Sequence, residues 1–253
     1  MYTVRAFRHA AIPACPGPQI FYLSRFSEWL PVVGYFWLIR GEGRTILVDT
    51  GIRDVDECNA ASAPPPTPQS VWVQTAAEKP LVQLRAAGVE PEQVDAVILT
   101  HLHYDHASNV HLFPNATVYV NRRGWLYAMD PAHKLHPVMF PRDTLAYLAG
   151  EAWERLHLCD DEEEILPGIG VFWVGAHTEC SQAVRIETNL GRVVLAGDVV
   201  MYQENLSLGH PPGLIKDLDQ AHEALRRCLQ AGDLVLPGHD PRLLERYPNG
   251  VIA

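Results

Sequence analysis

The sequence has few cysteines and no arrangement of them that suggests pairing. Five occur among 253 residues, they are widely separated, and no Cys-x-x-Cys pair is present. The five are Cys15, Cys58, Cys159, Cys180 and Cys228. An odd number of scattered cysteines argues against a disulfide framework and favours reduced thiols in a reducing compartment.

Long apolar runs and an excess of positive charge are also lacking. No apolar stretch approaches the roughly 20 residues that span a bilayer. The N-terminal segment contains no signal-peptide type of apolar run, so we expect a cytoplasmic protein. Lysine and arginine number 20 against 30 aspartates and glutamates, which gives a net charge of −10. Because an acidic surface repels phosphate backbones and anionic lipids, nucleic acid and membranes are disfavoured as partners.

The length and the order of the elements favour a layered α/β architecture in one domain, residues 1–253. No internal repeat, low-complexity tail or linker divides the chain. Strands are predicted at residues 34–40, 44–49, 94–100, 116–121, 170–175, 183–188, 192–198 and 233–238. The first two form a hairpin around the turn 41–43.

Two helices and two irregular regions complete this prediction. One helix begins near Pro80 and ends at Gly88. The other spans residues 217–230, and its periodicity predicts four inward-facing side chains, those of Leu218, Ala221, Leu225 and Leu229. The proline-rich stretch 58–69 is predicted to be an exposed loop, and residues 122–160 to be helices and long loops.

The most informative segment follows the predicted strand 94–100. Three imidazoles and a carboxylate, those of His101, His103, Asp105 and His106, fall within six residues. A strand end buries so many polar groups only when a partner satisfies them, and zinc binds both histidine nitrogen and aspartate oxygen. His101 and His103 can point to one metal, whereas Asp105 and His106 can point to a second.

Three further candidate ligands each follow a predicted strand, where open α/β sheets place their sites. The complete set is His101, His103 and His177 at one metal, Asp105, His106 and His239 at the other, and Asp198 between them. The sequence therefore predicts two zinc ions per chain with positions left open for water. Manganese, cobalt or iron could occupy the same ligands.

These motifs resemble those of the metallo-β-lactamase superfamily. The match consists of VDTG at 48–51, HLHYDH at 101–106, AHT at 176–178, GD at 197–198 and GH at 238–239. The resemblance covers nearly the whole chain and implies a four-layer αββα sandwich with the metals at one edge between two sheets. It also implies that Asp49 braces the metal-binding loop.

Within the superfamily, the run THLHYDHASN and the segment 197–205 most resemble the quorum-quenching N-acyl homoserine lactonases. That resemblance implies a small-molecule lactone or ester substrate, and it leaves a homodimer open. In those lactonases a tyrosine three residues after the bridging aspartate helps to polarise the substrate carbonyl. Here Met201 holds that position and Tyr202 follows. A second departure is Glu179-Cys180, where the family usually has Pro-Gly.

The predicted reaction is the opening of a lactone by a hydroxide that bridges the two metals. Asp105 would carry the proton, and Tyr202 would donate a hydrogen bond to the developing oxyanion. A packed core aromatic is the equal alternative for Tyr202. Aromatic residues near the first hairpin are usually core, but in the lactonase relatives this region covers the acyl chain. They are Phe21, Tyr22, Phe26, Trp29 and Phe36.

Other functions use the same ligands. A thioesterase of the glyoxalase type usually adds a C-terminal helical domain, whereas here 14 residues follow His239. Hydrolysis of another ester or amide stays open, although a β-lactamase often has cysteine at the position of Asp198. A di-iron oxidoreductase of this fold would have glutamate at the position of His103. A phosphodiesterase or a non-catalytic relative fits less well, because the charge is acidic and no ligand is missing.

The remaining histidines and Cys180 lack such a context. The histidines are His9, His111, His133, His136, His157, His210 and His222. We assign them to structure or solvent, with His133 and His136 as candidates for the pocket wall. Cys180 is three residues from His177 but is not needed as a ligand.

Overall fold

The computed structural model describes residues 1–61, 67–132 and 139–253. The strands are Thr3–Pro16 (β1), Trp29–Gly41 (β2), Arg44–Val48 (β3), Ala96–Ile98 (β4), Thr117–Asn121 (β5), Leu156–Cys159 (β6), Glu162–Leu166 (β7), Ile169–Trp173 (β8), Gln182–Thr188 (β9), Gly191–Leu195 (β10) and Leu234–Leu236 (β11). The α-helices are Gly17–Ile20 (α1), Val55–Ala61 (α2), Pro80–Ala86 (α3), Tyr104–Ala107 (α4), Arg122–Met129 (α5), Arg142–Ala149 (α6), Gln203–Ser207 (α7), Leu218–Ala231 (α8) and Leu243–Arg246 (α9).

The strands form two sheets. The first has the order β1-β2-β3-β4-β5-β6, and the second has the order β11-β10-β9-β8-β7. In the first sheet β1, β2 and β3 pair antiparallel, whereas β3, β4, β5 and β6 pair parallel. In the second sheet only β10 and β11 pair parallel. The predicted hairpin is confirmed as β2 and β3.

Apolar side chains fill three layers around these sheets. The central layer joins both sheets, with Ile39 and Ile98 from the first and Val184 from the second. On the outer face of the first sheet, α3, α5 and α6 pack through residues such as Leu84. On the outer face of the second sheet, α8 packs through residues such as Leu225. The predicted four-layer αββα sandwich is therefore confirmed.

The prediction of an exposed loop at 58–69 is wrong for its first residues. α2 continues to Ala61, and Cys58 on it is buried. The helix forms because the Asp54 carboxylate accepts hydrogen bonds from the backbone N–H groups of Asp56 and Glu57, at 2.8 and 3.1 Å. The three consecutive prolines at 64–66 lie outside the described residues.

The predicted inner face of α8 is also partly wrong. Ala221 and Leu225 are buried as expected, but Leu218 is 37% exposed and Leu229 is 54% exposed. Ala224 and Cys228 are the other buried residues of this helix. The packed stripe is thus narrow and rich in small residues, which lets α8 lie close to β10 and β11.

Three strands, β1, β6 and β7, are absent from the sequence-based prediction, and β6 lies within residues 122–160, which were predicted to be helices and long loops. β1 does not alternate regularly between buried and exposed residues, because its pairing with β2 shifts register between Arg8 and Ala10 and again between Ile12 and Cys15. β7 consists of three glutamates followed by two apolar residues, a composition that does not favour a strand. In the described part of the chain, no helix has the length and apolar character needed to cross a bilayer.

Candidate metal centre

The predicted ligands lie at the ends of strands from both sheets. His101 and His103 are in the loop after β4, and Asp105 and His106 are in α4. From the second sheet, His177 follows β8, Asp198 lies in the 3-10 turn Gly197–Val199 after β10, and His239 follows β11. The side chains of all seven are almost fully buried. The two sheets thus present their polar strand ends to one another at a single edge.

Three histidines and one carboxylate oxygen form the first group. His101 Nε2 lies 3.0 Å from His103 Nδ1, and His177 Nε2 lies 3.1 Å from the same atom. Asp198 Oδ2 is 3.4 Å from His177 Nε2 and 3.9 Å from His101 Nε2. These four atoms face a common point.

The second group uses the other oxygen of the same aspartate. Asp198 Oδ1 lies 3.0 Å from His239 Nε2 and 3.2 Å from His106 Nε2. Asp105 Oδ2 lies 3.2 Å from His106 Nε2 and 3.9 Å from His239 Nε2. One carboxylate therefore serves both groups, with one oxygen toward each.

The spacing of these atoms fits two zinc-sized cations. With metal–ligand bonds of about 2.0–2.1 Å and bond angles of about 90–120°, neighbouring ligand atoms stand about 2.9–3.6 Å apart. The separations given above run from 3.0 to 3.9 Å, and all ligand atoms of each group lie within 4.8 Å of one another. In addition, His106 Nε2 and Asp198 Oδ1 are buried and have no hydrogen-bond partner among the described residues. A buried polar atom without a partner is destabilising, and a cation between the two would satisfy both.

Hydrogen bonds from behind orient the imidazoles. Asp49 Oδ2 accepts from His106 Nδ1 at 2.8 Å, as the brace implied by the resemblance requires. The backbone carbonyls of Val33 and Leu214 lie 3.0 Å from His239 Nδ1 and 2.6 Å from His177 Nδ1. Each bond places the proton on the rear nitrogen and leaves the front nitrogen free for a metal.

Asp49 itself is held in an uncommon backbone conformation. Its φ is +60°, which non-glycine residues rarely adopt. The Thr100 backbone N–H donates to Asp49 Oδ1 at 2.8 Å, and the Thr100 hydroxyl donates to Asp49 Oδ2 at 2.8 Å. These bonds link Asp49, just after β3, to Thr100, which precedes the loop that carries His101 and His103. They also hold the Asp49 carboxylate beside His106.

The pKa values of the histidines differ between the two ligand groups, because burial dominates at His101 and His103 in the first group and nearby carboxylates dominate at His106 in the second. Burial lowers the pKa of His101 well below its usual value and lowers that of His103 to about 3. For His106 burial acts in the same direction, but the carboxylates of Asp105 and Asp198 outweigh it and raise the pKa. Burial opposes ionisation of Asp198, yet the surrounding histidines hold its pKa well below the usual range. The first group thus offers neutral imidazoles at His101 and His103 and an ionised carboxylate at Asp198, the forms that bind metal, whereas His106 would have to release its proton on binding one.

A cavity of about 510 Å³ opens onto both groups. His103, Asp105, His177, Asp198 and His239 form its floor. Its walls are mainly apolar, and they come from β1, α1, β2, α2, the chain just before Val73, Met139, Met201 and the chain after Pro212. Among the lining residues are Ile12, Cys15, Gln19, Val32, Trp72 and Met201.

Tyr202 does not line this cavity, although its neighbour Met201 does. Tyr202 is 4% exposed, and its hydroxyl donates to the backbone carbonyl of Pro31. Its ring packs edge-on against the ring of Phe21, with 6.0 Å between the two ring centroids. These contacts are those of a packed core aromatic, and its catalytic role stays a prediction from the resemblance.

The other predicted wall residues also lie elsewhere. None of the five aromatics around the first hairpin lines the cavity, and Phe26 is 72% exposed. Cys180 is buried, and its sulfur accepts a hydrogen bond from the Leu102 backbone N–H. It therefore supports the loop that carries His101 and His103. His133 and His136 lie outside the described residues. Trp72 and Gln19 also line the cavity but were not predicted, because Trp72 lies in a connection and Gln19 in the four-residue helix α1, and no motif marks either residue.

Comparison with known proteins agrees with this geometry. The sequence pattern of the Metallo-beta-lactamase superfamily matches residues 29–249. Metallo-beta-lactamase domain-containing protein 1 of Xenopus laevis is 28% identical over 185 residues, 69% of this chain and 67% of that protein. An N-acyl homoserine lactonase of Bacillus sp is 26% identical over 221 residues, 85% of this chain and 84% of that enzyme. The chain belongs to the metallo-β-lactamase superfamily.

Solved structures show the same fold. An N-acyl homoserine lactone hydrolase with N-hexanoyl-L-homoserine at its catalytic metal centre superposes with a TM-score of 0.81 at 19% identity. The superposition covers 99% of this chain and 98% of that chain. AidC, a dizinc quorum-quenching lactonase, gives a TM-score of 0.70 at 15% identity over 99% of this chain and 89% of AidC.

Proposed function

We propose that this chain is a metal-dependent hydrolase that opens a lactone, with an N-acyl homoserine lactone or a related cyclic ester as substrate. The observation that carries the proposal is the pair of ligand groups that share Asp198 and face one apolar cavity. The similarity to lactonases over most of the chain supports the substrate class.

The seven predicted ligands would hold two zinc ions. His101, His103 and His177 would hold one, Asp105, His106 and His239 would hold the other, and Asp198 would bridge them. Bound there, the ions would lower the pKa of a shared water to about 7 and polarise the lactone carbonyl.

Asp105 is the residue that we propose to move the proton. Its carboxylate lines the cavity, with Oδ2 facing His106 and His239. Burial alone would raise its pKa, but the His106 ring outweighs burial and lowers it, so the group is an ionised acceptor. From this position it can accept a proton from the attacking water and return it to the alkoxide of the opened ring. The apolar walls limit the entry of bulk water.

Replacement of the bridging aspartate tests this proposal. Asp198→Ala removes one ligand from each ion, so we expect at least a 100-fold loss of kcat for lactone hydrolysis and a lower zinc content by mass spectrometry. Asp219→Ala, at an exposed position of α8, is the matched control and should keep both. Full activity in Asp198→Ala, or wild-type protein without stoichiometric transition metal, would refute the two-metal scheme.

A substrate panel distinguishes the alternatives. Homoserine lactones, aromatic lactones, thioesters and a cephalosporin should be compared by kcat/KM with the zinc-loaded protein. Preference for thioesters would favour a thioesterase of the glyoxalase type. The cytoplasmic location, the homodimer and the single domain 1–253 remain predictions from the sequence.

A further inference from the structure

A second cluster of metal-ligating side chains shares no residue with the candidate metal centre. It consists of His157 and Cys159 on β6 and Glu163 on β7. One ligand atom from each of the three lies within 4.8 Å of the other two. β6 ends the strand order of the first sheet and β7 ends that of the second. The cluster therefore brings together side chains from both sheets, at the point where the chain passes from one to the other.

The geometry of β6 directs two of these ligands toward the second sheet. His157 and Cys159 are two residues apart on the strand, so their side chains point to the same face. Cys159 belongs to the apolar layer between the sheets, whereas Leu156 and Leu158 pack on the outer face of the first sheet. Both ligands of β6 therefore face the sheet to which Glu163 belongs.

Neighbouring groups hold the imidazole and the carboxylate in place. His157 Nε2 lies 2.7 Å from Glu163 Oε1. The ring of His157 packs against the ring of Tyr119, with 5.2 Å between the two ring centroids. The Asp160 backbone N–H donates to Glu163 Oε2 at 3.1 Å, which leaves Oε1 directed toward His157. Side chains that are fixed in this way lose little entropy when they bind an ion.

The thiol of Cys159 is the buried member of the cluster. The residue is fully buried, and in the described part of the chain its sulfur has no hydrogen bond to another residue. Burial raises the pKa of this thiol to about 12, so it keeps its proton as long as no cation is bound. A buried cysteine usually packs as a small apolar group, but this one lies against an imidazole and a carboxylate. A cation bound by these two groups would displace the thiol proton and bind the thiolate.

The charge and the chemistry of the three ligands match a divalent cation. A thiolate and a carboxylate carry two negative charges, and a neutral imidazole adds none, so a divalent ion would give a neutral site. Nitrogen and sulfur ligands favour zinc and similar ions, whereas magnesium and calcium prefer oxygen alone. The nearby carboxylates of Asp160 and Asp161 already pair with Arg122 and Arg123 of α5.

We propose that His157, Cys159 and Glu163 bind a further divalent cation of the zinc class. The site is independent of lactone hydrolysis and of the two ions proposed beside Asp198. With three protein ligands, its fourth position would hold water. The ion would join β6 to β7, and thereby the first sheet to the second, beside the two-residue connection 160–161. Because the ion would bind only the folded chain, it would stabilise the protein.

Cobalt(II) distinguishes this site from the candidate metal centre, because it gives a near-ultraviolet charge-transfer band when a thiolate binds it. The predicted ligands of the centre include no cysteine. Protein produced with cobalt(II) in place of zinc and titrated with further cobalt(II) should show this band. Cys159→Ser should abolish the band and bind one cobalt ion fewer per chain. Cys15→Ser, at the cysteine that lines the cavity, is the matched control and should keep both.

His157 provides a variant that does not disturb the core, because its side chain is 44% exposed. His157→Ala should weaken the cobalt binding that the band reports by at least about 100-fold. His222→Ala, at an exposed position of α8, is its matched control and should leave that binding unchanged.

The outcomes decide the proposal in either direction. Loss of the band in Cys159→Ser together with weaker binding in His157→Ala supports it. A wild-type protein without the band, a band that persists in Cys159→Ser, or equal binding in His157→Ala and His222→Ala would overturn it. If Cys159→Ser does not fold, the comparison of the two histidine variants decides alone.

Discussion

His9, a buried residue near the candidate metal centre, is tightly packed by its neighbours. The residue is fully buried on β1, and an added Cβ at Gly34 or Gly51 would lie within 2.5 or 2.9 Å of its ring. The Ile52 N–H donates to His9 Nδ1 at 3.3 Å, while His9 Nε2 has no partner among the described residues. Burial lowers the pKa of His9 to about 3, although the nearby Asp105 carboxylate acts in the other direction. His9 is therefore neutral in the folded protein.

This buried histidine predicts a loss of stability in mild acid. The unfolded chain binds a proton at His9 below about pH 6.5, but the folded chain does not until about pH 3, so stability falls as pH drops through that window. Between pH 6.5 and pH 5 the loss from His9 should be about 2 kcal/mol.

The variant His9→Phe removes the titrating group and should flatten this part of the pH dependence. Urea unfolding at the two pH values measures it. Metal release in acid affects both proteins, so the difference between them isolates His9. Identical pH slopes in wild type and variant would rule out its contribution.

Replacement of Tyr202 tests whether this residue is catalytic or a packed core aromatic. Its hydroxyl is bonded to the Pro31 carbonyl, so Tyr202→Phe should leave kcat within about threefold and lower the free energy of unfolding by about 1 kcal/mol. Steady-state kinetics and urea unfolding measure both effects. A loss of kcat of about 100-fold or more would instead support the catalytic role implied by the lactonase resemblance.

At the scale of elements, α8 offers a matched pair of leucines. Leu225 is 4% exposed against the second sheet, whereas Leu229, four residues later, is 54% exposed. Leu225→Ala should destabilise the protein by about 2–5 kcal/mol, and Leu229→Ala by less than about 0.5 kcal/mol. Thermal or urea unfolding compares them. Similar costs at both positions would mean that the helix packs on another face.

The elements that the sequence predicts well are those with a strong local signal. The strands before His101, Asp198 and His239 are short apolar runs that end in polar ligands, and all three are present as β4, β10 and β11. The seven predicted ligands are histidines and aspartates that follow strands, so the sequence alone could predict that their side chains lie together. β1 could not, because its bulges disrupt the alternation that identifies a strand.

The cavity wall was beyond sequence-based prediction for a different reason. Gln19 lies in a four-residue helix and Trp72 in a connection, and their neighbourhood depends on contacts between distant segments such as Gln19 with Gly213. Neither residue type at either position signals a ligand. The same holds for Tyr202, which precedes α7 and whose hydroxyl is bonded to the carbonyl of Pro31 on β2.

For the whole molecule, the shared layer between the sheets predicts a single unfolding unit. Ile39 and Ile98 of the first sheet pack with Val184 and Leu195 of the second, so neither sheet keeps its core alone. Urea unfolding should therefore give coincident transitions by tryptophan fluorescence and far-ultraviolet circular dichroism. Two separated transitions would contradict the single domain proposed for residues 1–253.

The carboxylate shared by the two ligand groups has a mechanical consequence. His101 and His106 come from one sheet, and His177, Asp198 and His239 come from the other. Ions bound between them would cross-link the two sheets at the edge of the sandwich where the two ligand groups lie. Because the site is assembled only in the folded chain, ions that bind there would favour folding by mass action. The atoms that carry out the chemistry would thus also keep the two halves of the protein in register.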